Sequence, residues 1–270
     1  MLESELGNSV SRRTHGFANG VKCLLKDAKS GWNGKSAGMT GHFGASDESD
    51  EGTGAAEEAP KLRTQDPEGV KRDILAVATK EFADKGYSGA RVDEIAAKTS
   101  TSKRMIYYYF TDKEGLYVAV LEAAYAGIRQ IELGLNLEGL SPVEALRRLA
   151  EFTFDYQNAN PDFVRLVMVE NIHNGIHLAK SQRIRNLNVS IVEMLEDVYR
   201  RGVAEGVFRS GIDTIDLHMT MSALSFFNVA NRATFGRIFD RDMTSPAALA
   251  HRRTVAADTM LRYTCIVPPA

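Results

Sequence analysis

Cysteine, tryptophan and proline are all scarce in this chain of 270 residues, which holds 2 Cys, 1 Trp and 7 Pro. Cys23 and Cys265 stand near opposite ends, which excludes a disulfide framework and a cysteine-based zinc site. No run of about 18 apolar residues occurs, so no membrane-spanning segment is expected. The opening MLESELGNSVSRRTHGFANGVKCLL carries Glu3 and Glu5 and lacks the continuous apolar stretch of a secretory signal, so a cytoplasmic location is expected. Neither sign of charge dominates, because 33 Lys+Arg face 35 Asp+Glu for a net charge of −2. Evenly spread, that balance would argue against a nucleic-acid partner, which needs clustered cations. Enzyme motifs are missing too: there is no Gly-x-Ser-x-Gly, His-Glu-x-x-His, Cys-x-x-Cys, complete phosphate loop or dinucleotide fingerprint. Neither catalysis nor a cofactor is therefore expected, and a helical-bundle enzyme is the remote alternative.

What is present divides near residue 60. Residues 1–60 hold 10 of the 22 glycines but only 9 residues of the Ile/Leu/Val/Phe/Trp/Tyr set, too few to offset ordering entropy. Arg12, Arg13, Lys22, Lys26, Lys29 and Lys35 precede an acidic stretch of Asp47, Glu48, Asp50, Glu51, Glu57 and Glu58. The segment reads as a disordered tail containing Trp32; a basic arm touching DNA, or a true start at Met39, are the other readings.

From residue 67 the text is helical. No proline falls within 68–141 or 162–245, and Pro142 and Pro246 each follow a serine, as a first-turn proline follows an N-cap. Val70, Ile74, Val77, Ala78 and Phe82 recur at helical spacing, and Lys85-Gly86 supplies a stop. Further helices are expected at about 91–98, 102–110, 112–134, 142–157, 161–174, 179–205, 213–238 and 246–264. The expected fold class is all-α.

Residues 91–110, RVDEIAAKTSTSKRMIYYYF, carry the most chemistry. Val92, Ile95 and Ala96 share a face; Thr-Ser-Thr makes a polar turn; Ser102 caps a second short helix, a helix-turn-helix pattern. At 100° per residue Ile106 and Phe110 point together toward a core, with Tyr109 at their edge. The opposite arc carries Lys103, Arg104, Tyr107 and Tyr108, two cations and two phenols suited to phosphate oxygens and base edges. Charge is local: 98–113 holds four Lys/Arg against Asp112 alone, whereas 68–122 is balanced at nine of each sign.

Residues 71–122 resemble the DNA-binding domain of the TetR (AcrR-like) family of transcriptional regulators. The matching text is ILAVATKEFADKGYSGARVDEIAAKTSTSKRMIYYYFTDKEGLYVAVLE. It includes Phe-x-x-x-Gly-Tyr (Phe82, Gly86, Tyr87), Val-Asp-Glu-Ile-Ala, the Ser-Lys-x-x-[apolar]-Tyr-x-Tyr-Phe recognition helix and Lys-Glu-x-Leu. The resemblance implies that Ser102, Lys103, Arg104, Tyr107 and Tyr108 meet double-stranded DNA, with Lys113 holding a phosphate beside a helix N-terminus. Three positions depart from the family pattern. Ser100 replaces the usual turn glycine and Thr101 a usual valine. Arg91 stands where a Thr or Ser often caps the helix, so that Ser88 or Gly89 caps instead and Arg91 is released toward a phosphate.

By the same resemblance, 67–122 is the helix-turn-helix domain and 123–265 a helical effector-binding and dimerisation domain. The whole would be a ligand-responsive homodimeric repressor on a pseudo-palindromic operator, an activator or ligand-independent DNA-binding protein being the alternative. Two apolar stripes are dimer candidates: Leu217, Met221, Ala223, Leu224, Phe227 and Ala230, and Leu249, Val255, Ala256, Met260 and Tyr263. A pocket for a small organic effector draws on Tyr125, Phe152, Tyr156, Met168, His173, Phe226, Asn228 and Asn231. Arg129, Arg165 and Arg232 are read as partners of surface acids rather than of an anionic ligand. Glu170, His173 and His177 would share a helix face and suit a divalent metal only if the helix ran through Gly175. That glycine argues against it, so no metal is expected and His173 is read as a hydrogen-bonding pocket or core residue.

Overall fold

A computed structural model describes residues 66–269, so the expectations for 1–60, with Cys23, Trp32 and the acidic stretch, lie outside the described residues. The helices are α1 (Pro67–Gly89), α2 (Val92–Lys98), α3 (Lys103–Phe110), α4 (Lys113–Glu132) and α5 (Pro142–Ala159). They continue as α6 (Pro161–Ile172), α7 (Gln182–Ala204), α8 (Thr214–Ala230), α9 (Arg232–Ile238) and α10 (Pro246–Thr264). Among the described residues the only β pairing is an isolated antiparallel bridge between Phe208 and Cys265. The fold is all-α, as expected.

The helices begin where the sequence supplies an acceptor for their unpaired N–H groups. Asp66 accepts from Gly69 N (2.9 Å), Ser102 from Met105 N (3.3 Å), and Asp112 from Gly115 N (2.7 Å). Ser141 and Glu144 form a reciprocal capping box before Pro142, and Ser245 caps α10 ahead of Pro246. Three boundaries differ from expectation. The helix expected over 213–238 is two, because Asn231 (φ −106, ψ 2) leaves helical geometry between α8 and α9. α7 starts at Gln182 rather than near 179: a 3-10 turn spans Leu178–Lys180, and Ser181 Oγ accepts from Ile184 N at 3.1 Å. α6 ends at Ile172, with the chain turning through Asn174 (φ 55) and Gly175 (φ 69).

Two buried clusters organise these helices. One joins Ile74, Phe82, Ile95, Ile106, Leu116 and Leu121 of α1–α4, and extends to Leu166 of α6 and Ile184 of α7. The other joins Leu146, Leu149, Leu195, Leu217, Met221 and Met260 from α5, α7, α8 and α10 with Phe208 of the α7–α8 connection. α4 contributes its first half to the former cluster, so the expected domain limit at 122/123 falls inside a continuous helix.

Within the first cluster an acid is buried. Glu81 of α1 is 2% exposed and pairs with Lys85 (2.6 Å) on its own helix and Lys98 (2.8 Å) at the end of α2. Burial alone would raise its carboxyl, but the hydrogen bonds from Lys85 and Lys98 outweigh that and bring the pKa down to about 2. A folded-state pKa below the unfolded value contributes stability that is full above about 4.5 and lost as pH falls toward about 2. Glu81→Gln should therefore cost up to about 3 kcal/mol at neutral pH, the free energy of a shift from 4.5 to about 2 less what solvent screens at the two partly exposed ammonium groups, and should flatten the acid limb. Urea unfolding near neutrality and near pH 3 checks both; an unchanged acid limb would refute the assignment.

Candidate nucleic-acid interface and effector site

The two short helices α2 and α3 pack Val92, Ile95 and Ile106 inward and turn a polar face out. On α3, Tyr108 is 77% exposed, Tyr107 is also exposed, and Lys103 and Arg104 lie beside them, while Tyr109 and Phe110 are half-buried against the core. The arcs are those the spacing implied. Lys103 is not free, however: its Nζ bonds Asp93 of α2 at 2.8 Å and sits 5.9 Å from the centre of the Tyr107 ring. Both members of the pair are exposed, so an incoming anion could displace Asp93 from Lys103 at little cost. Met105, 38% exposed, borders the same face and was not singled out by the sequence.

Arg91 corrects one expectation. It is itself the N-cap of α2 through its backbone, with no side-chain capping bond, so neither Ser88 nor Gly89 takes that place. Its side chain is exposed. Ser100 is exposed and is not among the residues with positive φ, so the turn takes a form that serine adopts without strain.

Lys113 opens α4 and is half-buried, with its ammonium 5.0 Å from the centre of the Tyr87 ring and 3.4 Å from Ser88 O. Burial lowers its pKa. Tyr87 is packed in turn against His177 (4.4 Å between ring centres) and Tyr117 (5.1 Å). His177 is buried, and its Nδ1 lies 2.8 Å from Oε1 of buried Glu170. Glu170 and His177 thus meet through a turn rather than along a helix face. The third member, His173, offers only ring-edge contacts, 6.3 Å to Tyr87 and 5.8 Å to His177. Among the described residues no cluster of three potential ligands is arranged to hold a metal.

The effector candidates separate. Tyr125 and Tyr156 come together at Phe163, which the sequence reading missed, at 5.3 and 6.1 Å between ring centres, and Phe152 joins through Tyr156 at 5.8 Å. Asn228 is buried and donates to Asn158 Oδ1 at 2.9 Å. His173 belongs to the Tyr87 group. Asn231 ends α8, and Met168 and Phe226 are half-buried. Arg165 pairs with exposed Asp84 at 2.6 Å as expected, whereas Arg129 pairs instead with Glu132, both buried, at i, i+3 on α4. The shared face of Tyr125, Arg129 and Glu132, at i, i+4 and i+7, was the available signal. Burial raises the Glu132 carboxyl to about 7 although Arg129 opposes it; His218 of α8 is lowered to about 4 by burial and then by Arg129.

The expected dimer stripes are partly internal. Leu217, Met221, Ala256 and Met260 are buried in this chain's own core, because α8 and α10 pack on α5. The apolar residues that α8 leaves exposed are Ile215, Met219, Ala223 and Phe227, spaced by four; on α10, Tyr263 is exposed and Leu249 and Val255 are half-buried.

Comparison with known proteins agrees with this architecture. Residues 74–120 match the family described as bacterial regulatory proteins, tetR family, and residues 142–260 the tetracyclin repressor-like C-terminal domain. Over 201 residues the chain is 35% identical to the HTH-type transcriptional repressor NicS of Pseudomonas putida, covering 74% of this chain and 95% of that protein. The chain belongs to the TetR family. It is thus a DNA-binding transcriptional regulator with a helix-turn-helix. It is 29% identical over 170 residues to the HTH-type transcriptional repressor SCO4008 of Streptomyces coelicolor, covering 61% of this chain and 80% of that one. Among solved structures, that of SCO4942 from Streptomyces coelicolor superposes with a TM-score of 0.56 at 26% identity over 74% of this chain and 99% of its own. A TetR transcriptional regulator from Chloroflexus aurantiacus shares the fold, with a TM-score of 0.57 at 20% identity over 74% and 98%. Among the described residues no helix is long and apolar enough to cross a membrane.

Proposed function

We propose that this TetR-family regulator is a homodimeric repressor that binds a pseudo-palindromic operator and is released by a small organic effector. The observation that carries the reading is the exposed Lys103, Arg104, Tyr107 and Tyr108 face of α3, flanked by Arg91 and Lys113. Residues 67–122 act as the DNA-binding unit, with Ser102 fixing the first turn of the recognition helix. Residues 123–265 act as the effector and dimer unit. The Ile215, Met219, Ala223 and Phe227 stripe of α8, apolar and uncovered, supports pairing with a second copy. Two copies would present two recognition helices to successive major grooves. The Tyr125, Phe152 and Tyr156 group supports an aromatic effector between α4, α5 and α6. An effector acts by preferring the conformation that does not fit DNA, and only by the difference in its affinities.

Gel shifts with the neighbouring intergenic DNA test this reading. Tyr107→Ala and Lys113→Ala should each weaken binding about tenfold while leaving the thermal unfolding curve in place, the loss expected for one DNA contact per half-site. Unaltered affinity in both variants would remove α3 and Lys113 from the interface.

A further inference from the structure

The aromatic group continues into a buried charge whose bonding is incomplete, and this identifies the kind of effector; the inference rests on the reading of 123–265 as effector-binding. Tyr125 and Ile215 line an open groove of about 790 Å³ together with Leu178, Val189 and Val192. One turn farther along α4 from Tyr125 stands Arg129, and one turn along α8 from Ile215 stands His218. Arg129 is 6% exposed, and its Nε has no partner; neither has His218 Nδ1. An unpaired buried polar atom costs about 1–3 kcal/mol, more beside a charge, so both can bond a polar group that comes between α4 and α8.

We propose that a small aromatic carboxylate binds beside this groove, its ring against Tyr125, Tyr156 and Phe163 and its carboxylate on the Arg129 guanidinium in place of Glu132. Both tyrosine rings meet Phe163 edge-on, an aromatic wall suited to a flat ring. Tyr156 Oη lies against Gly127, 3.4 Å from where a Cβ would stand, which brings the phenol up to the α4 backbone. Arginine stays charged and offers a planar fork to a carboxylate. Its present counter-ion, Glu132, faces Arg129 on its own helix and Tyr156 from α5, while His218 of α8 faces Arg129 and stays uncharged. One cationic charge is therefore available, and it suits a monoanion. As the ligand carboxylate enters, Glu132 leaves the guanidinium and takes one proton from solvent, so the buried charge stays balanced. Burial has already raised the Glu132 carboxyl to about 7, which makes that proton easy to acquire near neutrality.

The test is calorimetric titration of the purified full chain with benzoate, phenylacetate and 1-naphthoate, each against its carboxamide, in two buffers of different ionisation enthalpy. At least one acid should bind about tenfold or more tighter than its amide, with about one proton taken up per ligand near pH 8 and little near pH 5.5. Glu132→Gln should bind the same acid with no proton uptake. Because that change strands the Arg129 charge, R129M/E132Q, which removes both charges, is the second variant, and it should lose the preference for acid over amide. Amides binding as well as every acid, no acid binding below millimolar, or proton-independent binding near pH 8 would each overturn the assignment. Gel shifts on the same preparation keep the two readings apart: amides that release operator DNA leave the repressor standing and remove only the carboxylate.

Discussion

Replacing Gly115 by alanine is expected to weaken specific operator binding about 100-fold or more, although residue 115 touches no DNA in the proposed interface. A Cβ at this position would stand 2.1 Å from the carbonyl oxygen of Phe110 and 3.3 Å from its carbon, a collision with backbone that no rotamer change relieves. The close approach has a local cause. Thr111 closes α3 with φ 68 and ψ −60, and Asp112 N donates to Phe110 O at 2.7 Å, a three-residue turn of the strained γ type. That turn folds the last carbonyl of the recognition helix over the first turn of α4, where Asp112 Oδ1 already binds Gly115 N. Alanine must push α3 away from α4, at about 1–3 kcal/mol or more for overpacking. The displaced helix then loses several base contacts worth about 1–3 kcal/mol each in both half-sites, so affinity should fall about 100-fold or more. Fluorescence anisotropy with labelled operator, beside far-ultraviolet circular dichroism, separates displacement from unfolding. Wild-type affinity in Gly115→Ala would mean that the α3–α4 corner does not position the recognition helix.

The corner also marks where sequence reading was strong and where it stopped. Helix existence was legible because apolar spacing and N-cap residues are local properties: Ser141 before Pro142 and Ser245 before Pro246 act as read. The outward arc of α3 was legible because a two-turn helix with buried Ile106 has only one way to face. Breaks set by single backbone angles were not, as at Asn231, whose side chain is compatible with either outcome. Pairings between elements were equally hidden. Nothing in the spacing joins Lys103 to Asp93, and Arg129 looked like a surface arginine because burial of α4's second half depends on α5 and α8. His177 would share a helix face with Glu170 only in a helix continuing through Gly175, which the sequence argued against and which does not form. It reaches the same carboxylate by another route, through a turn that Asn174 and Gly175 permit at positive φ.

That turn carries the second large effect, expected for Glu170→Ala. Glu170 is 2% exposed; one carboxylate oxygen meets His177 Nδ1 at 2.8 Å and the other accepts from Leu178 N at 3.0 Å. A single side chain thus folds the segment after α6 back onto the helix and holds His177, also 2% exposed, against Tyr87 and Tyr117. Tyr87 in turn supports the Lys113 ammonium, so the chain of contacts runs from α6 to a residue proposed to hold a DNA phosphate. Alanine leaves the imidazole and one backbone N–H without partners in buried surroundings, a loss of about 3–5 kcal/mol. Glutamine keeps an oxygen for Leu178 N and an amide for the imidazole, and should retain most of the stability. The ordering of unfolding midpoints, wild type above Glu170→Gln above Glu170→Ala, is the first readout. Operator affinity at a temperature where all three remain folded is the second, and it should follow the same order because Lys113 loses its seat when Tyr87 does. If affinity holds while stability falls, Glu170 braces the turn alone, and the path from α6 to the DNA face runs elsewhere.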